Sequence, residues 1–188
     1  MNGSLLKHMV QKQDIELEVI LILLKGKAHL REISRLISVP HATLMRKLNQ
    51  LVEDNILDYS LEGRNKLFFL KTNLQSKNYI FNAERYKLIK LLNKYPKLSI
   101  IFDDILSKSN NSLIILFGSY ANFSAGSKSD IDIYIDGTKK IKEELEEINS
   151  KISIKIGSFD KDSLLIKEII KHHIILKGVE EFYEKISY

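Results

Sequence analysis

Two aspartates one residue apart, Asp130 and Asp132, sit inside an apolar segment, SDIDIYID (129–136). In a strand, residues i and i+2 share a face. Both carboxylates then project together, while Ile131, Ile133 and Ile135 point the other way. Carboxylates this close repel one another unless a cation neutralises them. Magnesium suits the task, because it takes one or two carboxylates plus substrate phosphates. Before them, across a ten-residue spacer (120–129), the run SLIILF leads into Gly118-Ser119. A glycine there lets the backbone approach a phosphate, whose oxygens backbone N–H groups and the Ser119 hydroxyl can bind. Lys128, the cation of the spacer, is a further candidate phosphate contact.

The surrounding elements must hold these groups in place. SLIILF (112–117), DIDIYI (130–135) and KISIKIGSF (151–159) read as strands. KKIKEELEEINS (139–150) reads as a charged amphipathic helix. Residues 160–186 read as one or two closing helices, punctuated by Gly178. The pair His172-His173 falls mid-helix on this reading, with no partner at metal-ligand spacing. Strands alternating with helices define an α/β (α+β) layer structure.

FGS at 117–119 followed by SDIDIYI at 129–135 resembles the signature of the polymerase-β-like nucleotidyltransferase superfamily, over roughly residues 100–185. In size the chain is similar to its minimal members. The resemblance implies a short mixed sheet with helices on one face. It also implies a triphosphate held at Gly118 and Ser119, Mg²⁺ held by Asp130 and Asp132, and transfer of a nucleoside monophosphate by in-line displacement. A third carboxylate is usual on a following strand. Here that strand is KISIKI, and Ser153 or Lys155 takes the place, depending on register. Asp136 and Asp160 are the other acids near in sequence. Asp136 lies too far along the strand, and Asp160 reads as a helix cap. The spacer also departs from the family, with Asn122 and Phe123 where an arginine and a glycine are common.

The first half has a different pattern. DIELEVILILLK (14–25) reads as a helix capped by Asp14 and stopped by Gly26. HLREISRLISV gives a short second helix with Leu30, Ile33, Leu36 and Ile37 inward, ended before Pro40. Pro40 opens a third, whose inner stripe is Leu44, Leu48, Leu51 and Val52. A hairpin follows in 56–73, turning at EGRN with Gly63 free to take positive φ. This outline, over roughly residues 10–75, resembles a winged helix-turn-helix. It implies a recognition helix at 40–52 and a wing tip at 61–67. His41, Thr43, Arg46, Lys47 and Gln50, with Arg64 and Lys66 of the wing, would then meet double-stranded DNA. The same outline also serves protein contacts.

The domains expected are 1–78 (winged helix-turn-helix), 79–107 (connecting helices, a candidate homodimer interface) and 108–188 (nucleotidyltransferase-like). Residues 1–98 carry 17 Lys+Arg against 9 Asp+Glu, and residues 99–188 carry 12 against 15. The basic half is the one suited to a polyanion. The chain has no cysteine, which excludes disulfides and cysteine-ligated zinc. The run VILILL (19–24) is far too short to span a bilayer. A soluble cytoplasmic protein without a membrane partner is expected. Two functions fit. One is a DNA-binding protein that uses NTP and Mg to modify a protein or RNA acceptor. The other is a transcriptional regulator whose nucleotidyltransferase domain has lost its chemistry and serves nucleotide sensing or dimerisation. The missing third carboxylate separates them.

Overall fold

The computed structural model describes residues 14–137 and 142–187. It divides into two compact units, 1–83 and 84–188. The expected helix at 139–150 is described only from residue 142, and the first residues of both the 1–78 domain and the 10–75 resemblance lie outside the described part.

In the first unit, α1 (Ile15–Leu23) starts at Asp14, whose side chain accepts the backbone N–H groups of Glu16 and Leu17. A short strand β1 (Ala28–His29) precedes α2 (Leu30–Ile37) and α3 (His41–Glu53). The hairpin is β2 (Leu57–Glu62) and β3 (Asn65–Leu70), joined by Gly63-Arg64, with Gly63 at φ +60°. The sheet order is β1-β3-β2, all antiparallel. Helix, strand, two helices and a two-stranded wing paired back onto the first strand make a winged helix. Val19, Ile20, Ile33, Leu44, Leu48, Leu51, Leu57 and Phe68 form its buried centre. One expected inner residue differs: Leu36 is exposed, because only Ile33 and Ile37 of this two-turn helix meet the core.

The helix α4 (Leu74–Lys94) contains the boundary between the units. Its last turns and α5 (Leu98–Lys108) belong to the second unit, where Leu91, Leu98, Phe102 and Ile105 enter the core. Residues 79–107 therefore do more than connect: they supply part of that core.

The second unit is built on a four-stranded mixed sheet of order β6-β5-β4-β7. Its strands are β4 (Ile114–Phe117), β5 (Ile131–Asp136), β6 (Ile152–Gly157) and β7 (Ile174–Lys177). β4 is antiparallel to both neighbours, and β5 and β6 run parallel. One face carries Ile114, Leu116, Ile131, Ile133, Ile135, Ile152 and Ile154, buried with α4, α5 and α7 (Lys142–Glu146). The expectation of helices on one face describes this layer. The other face has its own cover, an aromatic line from Tyr134 through Phe159 to Phe182 of α9 (Val179–Lys185).

β7 corrects the closing segment, which the sequence pattern reads as helical throughout. Instead α8 (Leu164–Lys171) stops, and His172 caps it with extended backbone. His173 is therefore not mid-helix. Ser163, not Asp160, caps α8, its hydroxyl accepting the N–H of Ile166. The Asp160 carboxylate accepts the N–H of Asp162 in a local turn.

Candidate functional site

β4 leads straight into α6 (Gly118–Ala121). Gly118 makes the turn at φ +69°, a conformation that L side chains rarely adopt. Contact gives a second reason for glycine here: a Cβ at this position would lie 2.5 Å from Asp132 Oδ2. The cause is register, since β4 and β5 pair Phe117 with Asp132. The two halves of the sequence motif, fourteen residues apart in the chain, thus meet at one end of the sheet. Asp130 is exposed just ahead of β5, and Asp132 is half-buried.

The intervening loop is held at several points. The N–H and hydroxyl of Ser124 both donate to the Ser119 carbonyl, at 3.0 and 3.2 Å. Lys94 and Tyr95 reach the carbonyls of Phe123 and Ala125. Lys151 donates to the Ser127 carbonyl at 2.6 Å. Its backbone carbonyl accepts the N–H of Ile131, which places Lys151 beside Asp130. Lys128 is exposed on the same loop.

Burial pushes the Asp132 carboxyl above its usual range, and the neighbouring Asp130 pushes it further. Lys155 pulls it back down, and Glu168 of α8 raises it again. The pair therefore has a shortage of positive charge, which is what a divalent cation would supply. Asp130, Asp132 and a phosphate fit Mg²⁺, whose remaining positions are commonly filled by water. Among the described residues, no group of three or more His, Cys, Asp or Glu is gathered for a metal.

The parallel register settles what stands beside Asp132. Ser153 pairs with it directly, and Lys155 pairs with Tyr134, one step further on the same face. Neither is an acid. Asp136 and Asp160 belong to the far end. Asp136 sits roughly 13 Å along β5, at about 3.3 Å per residue, and its carboxylate pairs with Lys185 at 2.9 Å. Asp160 follows the end of β6, which lies beside Asp136.

In the first unit, a groove of about 840 Å³ runs between α2, the start of α3 and the wing. Arg31, Arg35, His41, Arg64 and Lys66 line it, with Glu32 as an acidic member. His41, Arg64 and Lys66 are expected at this surface from the sequence. Arg31 and Arg35 are additions, because the sequence outline points to the third helix and the wing alone. The amphipathic pattern of the second helix, with arginines on its outer side, is the available signal. Arg46 and Gln50 are exposed on α3, and Thr43 is half-buried. Lys47 departs from the set: its ammonium pairs with Glu16 of α1. It sits on the side of α3 turned toward the helical core. His29 steadies the wing, through Nδ1 to the Lys66 carbonyl (3.0 Å) and Nε2 near Glu62 (3.3 Å).

A third cluster has no counterpart in the sequence pattern. Glu84 is buried, and its Oε1 accepts the Tyr183 hydroxyl at 3.0 Å. Lys87 is 3.1 Å from its Oε2. Nε2 of buried His173 lies 3.3 Å from Oε1, off the direction of a hydrogen bond. The His173 Nδ1 faces the carbonyls of Ile169 and Ile170, which assigns it as an N–H donor.

A winged helix, followed in the chain by a small mixed sheet that brings a glycine turn against paired aspartates, is the outline of a winged-helix fold joined to a nucleotidyltransferase fold. The family model described as "Polymerase beta, Nucleotidyltransferase" matches residues 86–181, about half of the chain, and the chain belongs to that family. No curated protein matches it. Among solved structures, a mutant of Lactococcus lactis ZitR is 17% identical with a TM-score of 0.38, over 48% of this chain and 62% of that one. The chain thus spans less than two thirds of the ZitR chain. The adhesin competence repressor AdcR from Streptococcus pyogenes is 18% identical, with a TM-score of 0.37, over 55% and 84%. T. acidophilum IdeR is 21% identical, with a TM-score of 0.34, over 43% and 37%. The winged-helix assignment rests on element order and strand pairing, not on these likenesses. Among the described residues, no helix is long and apolar enough to cross a membrane.

Proposed function

We propose that this is a DNA-binding protein whose polymerase-β-family domain binds NTP with Mg²⁺ and transfers a nucleoside monophosphate to a protein or RNA acceptor. The observation that carries the reading is the contact between Gly118 and the Asp132 carboxylate, with Asp130 alongside. Gly118 and Ser119 approach the triphosphate, and Lys128 meets it from the loop. Asp130 and Asp132 hold the metal. Bound there, Mg²⁺ supplies positive charge to the phosphoryl oxygens as the bond to the leaving group breaks. The chain's own part is positioning, since phosphoryl-type transfer asks little covalent work of side chains. The basic groove of the winged helix supports binding to the DNA backbone, and a cytoplasmic homodimer is the expected form.

A second reading is favoured by one observation: Ser153 and Lys155 stand where a third carboxylate would serve as general base. On this reading the domain senses nucleotide without transferring it, and the protein is a transcriptional regulator. Incubation with each of the four labelled NTPs, Mg²⁺ and cell extract separates the two. Label passing to an acceptor, and lost in Asp130→Asn with Asp132→Asn, supports transfer. Silence with all four, alongside a Mg-NTP-dependent rise in melting temperature, supports sensing. Absence of both effects removes the nucleotide site.

A further inference from the structure

We propose that Lys155 is a phosphate-binding residue of the nucleotide site, its ammonium serving on the face where a third carboxylate would otherwise help to hold metal. The inference rests on the nucleotide-binding reading above and deepens it. Placement is the first support. The β5–β6 register sets Lys155 two residues beyond Ser153, on the face that carries Asp132. Its backbone is fixed there, because the neighbouring Tyr134 is buried and its hydroxyl donates to the Gly157 carbonyl of the same strand, β6, at 2.8 Å.

Availability is the second support. Lys151 is engaged with a loop carbonyl and Lys185 with Asp136. Lys155 is exposed, and among the described residues it forms no ion pair, not even with Asp132 on its own face. An ammonium carried one pair further along the same sheet face as Asp132, yet not docked on it, leaves room for an anion bound to both through a metal and a direct contact.

Charge is the third. Asp130 and Asp132 stand together at this end of the sheet, and two carboxylates repel a polyphosphate. A lysine replaces part of the positive charge that a second metal would bring. It carries that charge permanently, without a third acid to hold it. The site then depends less on divalent ion for binding nucleotide than a three-carboxylate site does.

Calorimetric titration with ATP, ADP and AMP, in Mg²⁺ and in EDTA, tests this on the full chain. The parent should keep measurable ATP binding in EDTA. Lys155→Ala should bind ATP at least about tenfold more weakly in Mg²⁺, as expected when a charge-assisted hydrogen bond is removed, and should lose binding in EDTA. Lys155→Arg should restore it, and both variants should still melt cooperatively without ligand. If Lys155→Ala binds ATP as the parent does in both buffers, the assignment of Lys155 is wrong while the nucleotide site stands. If the parent binds none of the three in Mg²⁺, the nucleotide site itself falls, and Lys155 with it.

Discussion

The Asp132 carboxylate lies against Gly118, so close that a β-carbon on residue 118 would come to 2.5 Å from Oδ2. Gly118 also has φ +69°, where an L side chain costs about 1–2 kcal/mol. Gly118→Ala therefore carries a backbone cost and displaces the carboxylate. The expected outcome is a folded protein, destabilised by about 1–2 kcal/mol, that no longer shows the Mg-NTP-dependent rise in melting temperature. Urea melts and thermal melts with and without Mg-ATP check both halves. An unchanged ligand shift would mean that the contact does not shape the site.

Asp132 offers a trade between stability and function. Burial and Asp130 raise its proton affinity in the folded protein. For an acid raised in this way, stability falls as pH climbs from the ordinary value of 3.8 through the raised one, and stays lower above it. Asp132→Asn removes that loss. It should melt higher than the parent at pH 7 and the same or lower near pH 3, while losing the Mg-NTP shift at every pH. A variant less stable at pH 7 would mean that Asp132 is satisfied by partners within the fold.

On the winged helix, Lys47 and the groove arginines should separate. Lys47 is paired with Glu16 across two helices, whereas Arg35 and Arg64 line the groove. In duplex-DNA binding measured across salt, Arg35→Ala with Arg64→Ala should weaken affinity and reduce the slope of log K against log salt by about one for each phosphate that the variant no longer neutralises. Lys47→Ala should leave the slope unchanged and cost about 0–1 kcal/mol of stability. The reverse pattern would move the DNA surface off the groove.

Why some features are legible in the sequence and others hidden follows from where their signals reside. Asp14 and Gly63 act locally, as cap and turn, and each does in the structure what its neighbours in sequence suggest, while Pro40 stands one place earlier than expected, as the N-cap of α3. The strands carrying the motif are short apolar runs with clear ends, so 114–117, 131–136 and 152–157 fall where expected. β1 is two residues long and exists only because Ala28 and His29 pair with Phe68 and Leu67. β7 hides in KEIIKHHIILK, where helical and strand periodicities coincide, and its pairing with β4 decides the matter. The inward turn of Lys47 depends on Glu16, 31 residues earlier. The union of Glu84 with His173 and Tyr183 spans nearly 100 residues and leaves no spacing to read.

That union is the strongest candidate for acid sensitivity. Burial alone pushes the Glu84 carboxyl up, but the close approach of His173 and the charge of Lys87 outweigh it and hold the group down to about 2. Depression below the ordinary 4.5 means that the stabilising contribution is complete above pH 4.5. It is lost as pH falls from there through about 2, because the unfolded chain takes up the proton first. Glu84→Gln keeps the shape and removes the buried negative charge that Lys87 faces. Breaking a buried pair on one side costs about 3–5 kcal/mol, so the variant should be destabilised by that order at pH 7. Its stability should also lose the portion of the acid-limb slope between pH 4.5 and 2 that belongs to Glu84. Urea melts from neutral pH down into that acid range give both quantities. A Glu84→Gln protein as stable as the parent at pH 7, or one with an unchanged acid limb, would show that the carboxylate does not hold α4 to His173 and Tyr183 by charge.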